Sequence, residues 1–99
     1  MSFRVRFTRG AREDLQRLFR FLAERDLPAA RRARQAIAHS IELLTEFPWS
    51  CRKAMPDNPF IRELVIPFGS GGYVALFEID DKDNVTLLAI RHQREEDYL

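Results

Sequence analysis

The chain reads as an α+β domain of order β-α-α-β-β-β, an antiparallel helix hairpin packed on one face of a small, mainly antiparallel twisted sheet. Three observations predict it. The N-terminus alternates apolar and basic residues, two helical periodicities follow with one tight break between them, and three apolar runs of strand length end the chain. At 99 residues these elements are expected to form one domain, 1–99.

Phe3, Val5 and Phe7 alternate with Arg4 and Arg6, the period-two pattern of a half-buried strand. Thr8 is placed to cap a helix that begins near Gly10. Ala11, Leu15, Leu18 and Leu22 then fall on one stripe, so this helix should end near Arg25. Asp26-Leu27-Pro28 reads as a break, with Asp26 or Leu27 at the cap and Pro28 in the first turn of a second helix. That helix carries Ala30, Ala33, Ile37, Ile41 and Leu44 on one face and is expected to reach about Phe47 before Pro48 stops it. Alanines at 30 and 33 permit a close helix–helix approach. His39 is expected at the surface.

Residues 48–60, PWSCRKAMPDNPF, read as an irregular connection with Trp49 anchoring it to the core. Cys51 reads as an ordinary loop thiol. Ile61–Phe68, Tyr73–Ile79 and Val85–His92 form a meander, turning at Gly69-Ser70-Gly71-Gly72 and at Asp80–Asn84.

The bulk numbers exclude several function classes. No apolar run approaches the ~20 residues of a membrane-spanning helix. MSFRVRF lacks the apolar stretch of a signal peptide, and a lone cysteine fits a reducing compartment, so a cytoplasmic location and no membrane partner are expected. No cysteine pair or HxxxH spacing suggests a metal, and GSGG opens no helix that would bind phosphate; no cofactor is expected. The net charge of +1 hides a split. Residues 1–34 hold ten arginines against four acids, and residues 35–99 hold six basic against eleven acidic side chains. The first third therefore faces either an acidic partner or nucleic acid, or is neutralised by the rest of the fold.

The groups that bear chemistry gather at strand ends. Arg62 opens the first meander strand, and Arg91, His92 and Arg94 close the last, followed by Glu95, Glu96, Asp97 and Tyr98. RNA cleavage through a 2′-hydroxyl requires an acid or base, which His92 can supply, cations for the phosphorane, from Arg94 or Arg62, and a stacking or proton-donating group, from Tyr98. The alternative is a structural His92 at a strand end. Three adjacent acids repel a phosphate backbone.

The segments FTRGAREDLQRLFRFLAERD, PAA with AI and the helix leading to FP, IRELVIPFGSGGYVALFEI and LAIRHQREEDY resemble, in order and spacing, the RelE/ParE superfamily of toxins from bacterial type II toxin–antitoxin systems. The resemblance covers nearly the whole chain. It implies a cognate antitoxin, a hetero-oligomer with it, and one of two activities. RelE-like members are ribosome-dependent mRNA endonucleases; ParE-like members inhibit DNA gyrase by binding it. The nuclease branch places an arginine after the GY of the central strand, where this chain has Val74, although Arg52, Lys53 and Tyr98 match its other basic and aromatic positions. Val74 and the acidic EED favour the ParE-like reading: a growth-inhibiting toxin of a plasmid-stabilisation type system, probed at gyrase through Arg62, Arg94 and Tyr98. The alternatives are a nuclease using His92, Arg94, Arg62 and Tyr98 on ribosome and mRNA, or an inactive relative that binds only its antitoxin.

Overall fold

The computed structural model describes residues 2–94. Its elements are β1 (Arg4–Phe7), α1 (Arg9–Ala23), α2 (Leu27–Glu42), β2 (Arg52–Met55), β3 (Asn58–Phe68), β4 (Gly71–Ile79) and β5 (Asn84–His92). The strands form one mixed sheet in the order β1-β5-β4-β3-β2. Only β1 and β5 run parallel; the other three pairs are antiparallel. The α1–α2 hairpin covers one face, so the expected α+β architecture is the one observed.

Local chemistry sets the helix boundaries. Thr8 caps α1, its hydroxyl accepting the Ala11 N–H at 3.0 Å. Asp26 caps α2, accepting the Ala29 N–H at 3.0 Å, with Pro28 in the first turn. Alpha geometry in α2 stops at Glu42, short of Phe47. Leu43–Thr45 continue as a tighter 3-10 turn, and the Thr45 hydroxyl donates to the Glu42 carbonyl at 2.7 Å.

The connection read as irregular holds a strand. β2 pairs with β3 through Arg52↔Glu63, Lys53↔Arg62 and Met55↔Asn58. RKAM shows no apolar alternation because this edge strand is largely exposed, so there was no pattern to read. The sheet therefore has one strand more than the β-α-α-β-β-β reading. Trp49 is also placed differently from expectation. It is 48% exposed, and the buried Pro48 is what roots this segment.

Ala11, Leu18, Ala33, Ile37, Ile41 and Leu44 from the helical side meet Ile66, Tyr73, Ala75, Phe77, Val85, Leu87 and Ile90 from the sheet. Ala30 and Ala33 are 1% and 4% exposed, as a close helix pair requires. Beside them lies a small cavity of about 80 Å³, walled by Leu15, Leu18, Phe19, Ile37 and Tyr73 among others.

One irregularity organises the last strand. Between β4 and β5 the register shifts from Phe77↔Leu87 to Leu76↔Ala89, so Leu88 is an extra residue. It lies where β1 ends, since Phe7 pairs with Leu87. Past that point α1 covers the outer edge of β5. The Thr8 hydroxyl donates to the Leu88 carbonyl at 3.1 Å. The Asp14 carboxylate accepts the Ile90 N–H at 2.9 Å. Asp14→Ala leaves that part-buried N–H without its acceptor and should cost about 1–3 kcal/mol in urea unfolding, with faster hydrogen exchange at Ile90. Asp14→Asn keeps an acceptor oxygen and should lose less; equal losses would show that the bond contributes little.

The β4–β5 turn carries a pH signature. The Asp83 N–H, and then the Asn84 side-chain amide, hold the exposed Asp81 carboxyl below its ordinary value of 3.8. A depressed pKa favours folding above the unfolded-state value and loses that contribution as pH falls through the folded-state value. The stability difference between the wild type and Asp81→Ala should therefore shrink as pH falls below about 4. A difference independent of pH would mean that the turn's bonds do not depend on the charge.

Candidate functional site

The bulge at Leu88 decides which side chain of the last strand reaches the helix side. Val85 and Leu87 point into the core ahead of it, and Ile90 does so after it. Strand alternation then places His92 on that face, across from Tyr73. Arg91 falls on the opposite face, across from Val74. The Arg91 guanidinium folds back on the strand end, donating to the His92 and Gln93 carbonyls at 3.2 and 3.3 Å.

His92 packs edge-on against Tyr73, with ring centroids 5.6 Å apart and planes at 87°. Its Nδ1 accepts the Arg94 N–H at 3.1 Å, so the neutral ring carries its proton on Nε2. Burial pushes the Tyr73 hydroxyl above its ordinary pKa, which disfavours the phenolate. Both rings line a cleft of about 610 Å³ between α1 and the β3–β4 turn. Leu18, Phe21, Leu22 and Phe68 supply its apolar walls, and Arg17 and Arg94 its charge. Gly72 shapes the turn beside it: a Cβ there would collide with the Ile66 carbonyl oxygen.

Of the residues singled out in the sequence, the structure brings His92 and Arg94 together in this cleft. Arg62 lies elsewhere. It pairs across from Phe77, while His92 pairs across from Tyr73. Four residues separate those positions along β4, about 13 Å, and two strand spacings add about 10 Å across. The Arg62 guanidinium is occupied there, donating to the carbonyls of Pro59 at 2.7 Å, Cys51 at 2.8 Å and Trp49 at 3.2 Å. It also stands 5.1 Å from the Trp49 ring centroid. Tyr98 lies outside the described residues, as do Glu95, Glu96 and Asp97. Arg52 pairs with Glu63 at 3.0 Å across β2 and β3. His39 is exposed on α2. Among the described residues, no cluster of His, Cys, Asp or Glu is arranged to hold a metal ion.

Sequence reading missed Arg17, Phe21, Phe68 and Tyr73 as neighbours of His92. Arg17 and Phe21 are four apart on α1, and that spacing is the signal that could have joined them. It missed a second surface as well. Trp49 stacks edge-on with Phe60 at 5.9 Å, and both are about half exposed, at 48% and 49%.

Arg62 is the clip that holds this second surface. Burial raises the pKa of the Cys51 thiol in the same segment, and the Arg62 charge partly offsets the rise. Arg62→Lys keeps the charge, but a single ammonium cannot reach three divergent carbonyls. It should cost about 1–3 kcal/mol and speed Cys51 alkylation by iodoacetamide at neutral pH. An unchanged alkylation rate would show that the segment holds without the clip.

Comparison with known proteins agrees with this fold. A family model described as "ParE toxin of type II toxin-antitoxin system, parDE" matches residues 5–97. A curated protein named Toxin RelE1, from Caulobacter vibrioides, is 35% identical over 79 residues, covering 80% of this chain and 82% of that protein. A solved structure titled "Chromosomal ParDE TA system from P. aeruginosa" superposes with a TM-score of 0.72 at 22% identity, over 96% of this chain and 98% of that one, and shows a shared fold. The chain belongs to the ParE toxin family of type II toxin–antitoxin systems, within the RelE/ParE superfamily.

Proposed function

We propose that this chain is a ParE-like toxin that inhibits growth by binding DNA gyrase, acting in the cytoplasm as part of a plasmid-stabilisation type system. Family membership implies a cognate antitoxin, which on this reading neutralises the toxin in a hetero-oligomer.

One observation carries the choice against RNA cleavage. Two positions that a nuclease would combine with His92, 62 and 74, lie away from it, although Arg94 stands beside it. Arg62 is bound to loop carbonyls about 13 Å along the sheet from the His92 level. Position 74, where the nuclease branch would have an arginine, is on the face opposite His92. No carboxylate lines the His92 cleft among the described residues, and its Nδ1 is engaged by the chain's own backbone. Among the described residues the cleft offers His92 no carboxylate partner, and burial holds Tyr73 as the neutral phenol, which weighs against the paired acid and base that such a reaction requires. Burying apolar surface beside a few arginines serves binding. Arg94 and Tyr98 are the proposed target contacts. Arg62 contributes by presenting Trp49 and Phe60. The antitoxin is proposed to cover the flank of the helix hairpin and a sheet edge with an amphipathic helix and an extended segment.

The second reading is a ribosome-dependent mRNA endonuclease, favoured by the 35% identity to a protein named RelE1. Gyrase supercoiling and mRNA cleavage on translating ribosomes, measured with one preparation, separate the two. The expected result is supercoiling inhibition with intact mRNA. Arg62→Ala, Arg94→Ala and Tyr98→Ala should weaken inhibition by graded steps of roughly 3- to 30-fold, as lost surface contacts do. Codon-positioned cleavage that falls about 10²–10⁴-fold in His92→Ala, with gyrase unaffected, would establish the nuclease instead.

A further inference from the structure

The charge split of the sequence is concentrated on the helix hairpin. Residues 9–34 hold eight of the fourteen arginines against four acids. Two of those acids serve the backbone: Asp14 accepts the Ile90 N–H, and Asp26 accepts the Ala29 N–H. Glu13 stands 3.9 Å from Arg9. Glu24 lines a shallow groove on α1 with Gln16, Phe19, Arg20 and Ala23. Arg12, Arg20, Arg31, Arg32 and Arg34 are exposed, and none of these five is paired with a carboxylate among the described residues.

The helix pair sets how these cations are presented. Arg34 of α2 lies over Phe19 of α1, 4.7 Å from the ring centroid, and so spans the two helices. Arg20 follows Phe19 on α1, and Arg31 stands one turn before Arg34 on α2. Gln16 and Gln35, both exposed, lie four residues from Arg20 and Arg31 respectively. Arg12 is a turn further back, its guanidinium 5.8 Å from the centroid of the Phe7 ring. Guanidiniums and amides thus follow one another over about 12 Å of helix rise. Resting on rings, Arg12 and Arg34 lose less freedom when they bind an anion.

A surface dominated by donors suits a polyanion. An acidic protein is the poorer fit, because a protein interface is built around an apolar centre. Here Phe7 and Phe19 lie under guanidiniums. Single-stranded nucleic acid needs bare ring faces for stacking, and the same two contacts deny them. A duplex backbone asks only for cations. It carries one charge per about 1.7 Å of axis, and each phosphate takes a guanidinium in bidentate fashion. Helices of 15 and 16 residues are about 22–24 Å long. That falls short of the ~16 base pairs that readers of double-stranded RNA span. It matches one face of about seven base pairs of B-DNA.

We propose that the outer face of the α1–α2 hairpin docks on the phosphate backbone of duplex DNA, with Arg12, Arg20, Arg31 and Arg34 on phosphates and Gln16 and Gln35 as neutral donors. Contacts of this kind hold a protein on DNA without reading its sequence. The inference goes beyond the toxin reading and does not depend on which target the chain inhibits.

The test is fluorescence anisotropy of a labelled 16-base-pair DNA duplex of arbitrary sequence, titrated with the full chain. Binding is expected with a Kd of about 10⁻⁴ M or tighter at 50 mM NaCl. Three neutralised phosphates give a slope of about −2.7 in log K against log salt, hence a loss of roughly 40-fold by 200 mM. The net charge of +1 is too small to produce such a slope without a local cluster. Arg20→Gln/Arg31→Gln should weaken binding about fivefold or more and bring the slope to about −0.9. Arg20→Lys/Arg31→Lys should keep the slope, since the point charges remain. Arg4→Gln/Lys82→Gln makes the same change in net charge at exposed positions on β1 and the β4–β5 turn, and should leave slope and affinity unchanged. Urea midpoints of all three variants establish that each is folded. Labelled polyglutamate and an RNA duplex of the same sequence should each bind more weakly than the DNA. A slope near zero overturns the proposal, as does a folded Arg20→Gln/Arg31→Gln chain that binds like the wild type, or a control variant that loses as much. Tighter binding of polyglutamate assigns the face to an acidic protein, and tighter binding of the RNA duplex assigns it to RNA; either result overturns the DNA assignment. The assay contains no gyrase, ribosome or antitoxin, so its failure leaves the toxin reading standing, and failure of that reading leaves the docking face to be judged on its own.

Discussion

The junction of α1 with the outer edge of β5 is the constraint on which the rest of the structure depends. β1 covers that edge only as far as Leu87. Beyond it, β5 would present unpaired backbone groups, an expense in a part-buried position and an invitation to foreign strands. The first turns of α1 solve both problems. One hydroxyl, Thr8, accepts from its own helix and donates to the bulged Leu88 carbonyl. One carboxylate, Asp14, accepts from Ile90. Six residues, about 9 Å of helix rise, separate Thr8 from Asp14, so the two contacts also fix the direction in which α1 crosses the sheet.

That junction reaches the candidate site through parity. A strand without a bulge would continue the Val85, Leu87 alternation to Ala89 and Arg91. A guanidinium would then enter the side covered by the helices, and His92 would face away. The extra residue inverts this and sends Ile90 to the core and His92 to the cleft. The same helix that holds the bulge supplies Arg17, Leu18, Phe21 and Leu22 as the opposite wall. Edge protection, bulge and cleft are thus one arrangement, and the placement of the imidazole follows from backbone hydrogen bonding near the start of the chain.

Some of this was legible in the sequence and some was not, for reasons particular to the residues. Thr8 and Asp26 announced the helix starts because capping is local chemistry. The meander was legible because GSGG and DDKDN are turn-forming and the runs between them are apolar. The bulge was hidden: Leu87 and Leu88 are both apolar, so the sequence shows no break in alternation where the register shifts. β2 was hidden because an exposed edge strand needs no apolar side. At the site, His92 and Arg94 were legible as neighbours in the chain. Arg62 looked like a third member, since strand register, which determined that it sits level with Phe77, is a long-range property. Its role as a clip for carbonyls of Trp49, Cys51 and Pro59 depends on a loop path that no local pattern encodes.

The charge split also takes a physical form in the fold. Arg6 reaches the later acids directly, pairing with Asp80 at 3.0 Å. Other early arginines lie on aromatic rings: Arg12 over Phe7, Arg25 over Phe21 and Arg34 over Phe19. Such stacking holds the stem in place and leaves the charge at the surface. Arg31 and Arg32 are exposed on α2. The helix hairpin therefore keeps much of its positive character on the outside, while its inner surface is alanine, leucine and isoleucine. Such a surface attracts acidic groups from a distance. The cleft beside the hairpin, by contrast, has an apolar floor of Leu18, Leu22 and Phe68. The outer arginines of the hairpin and the apolar floor of the cleft meet at the cleft's rim, where Arg17 and Arg94 stand.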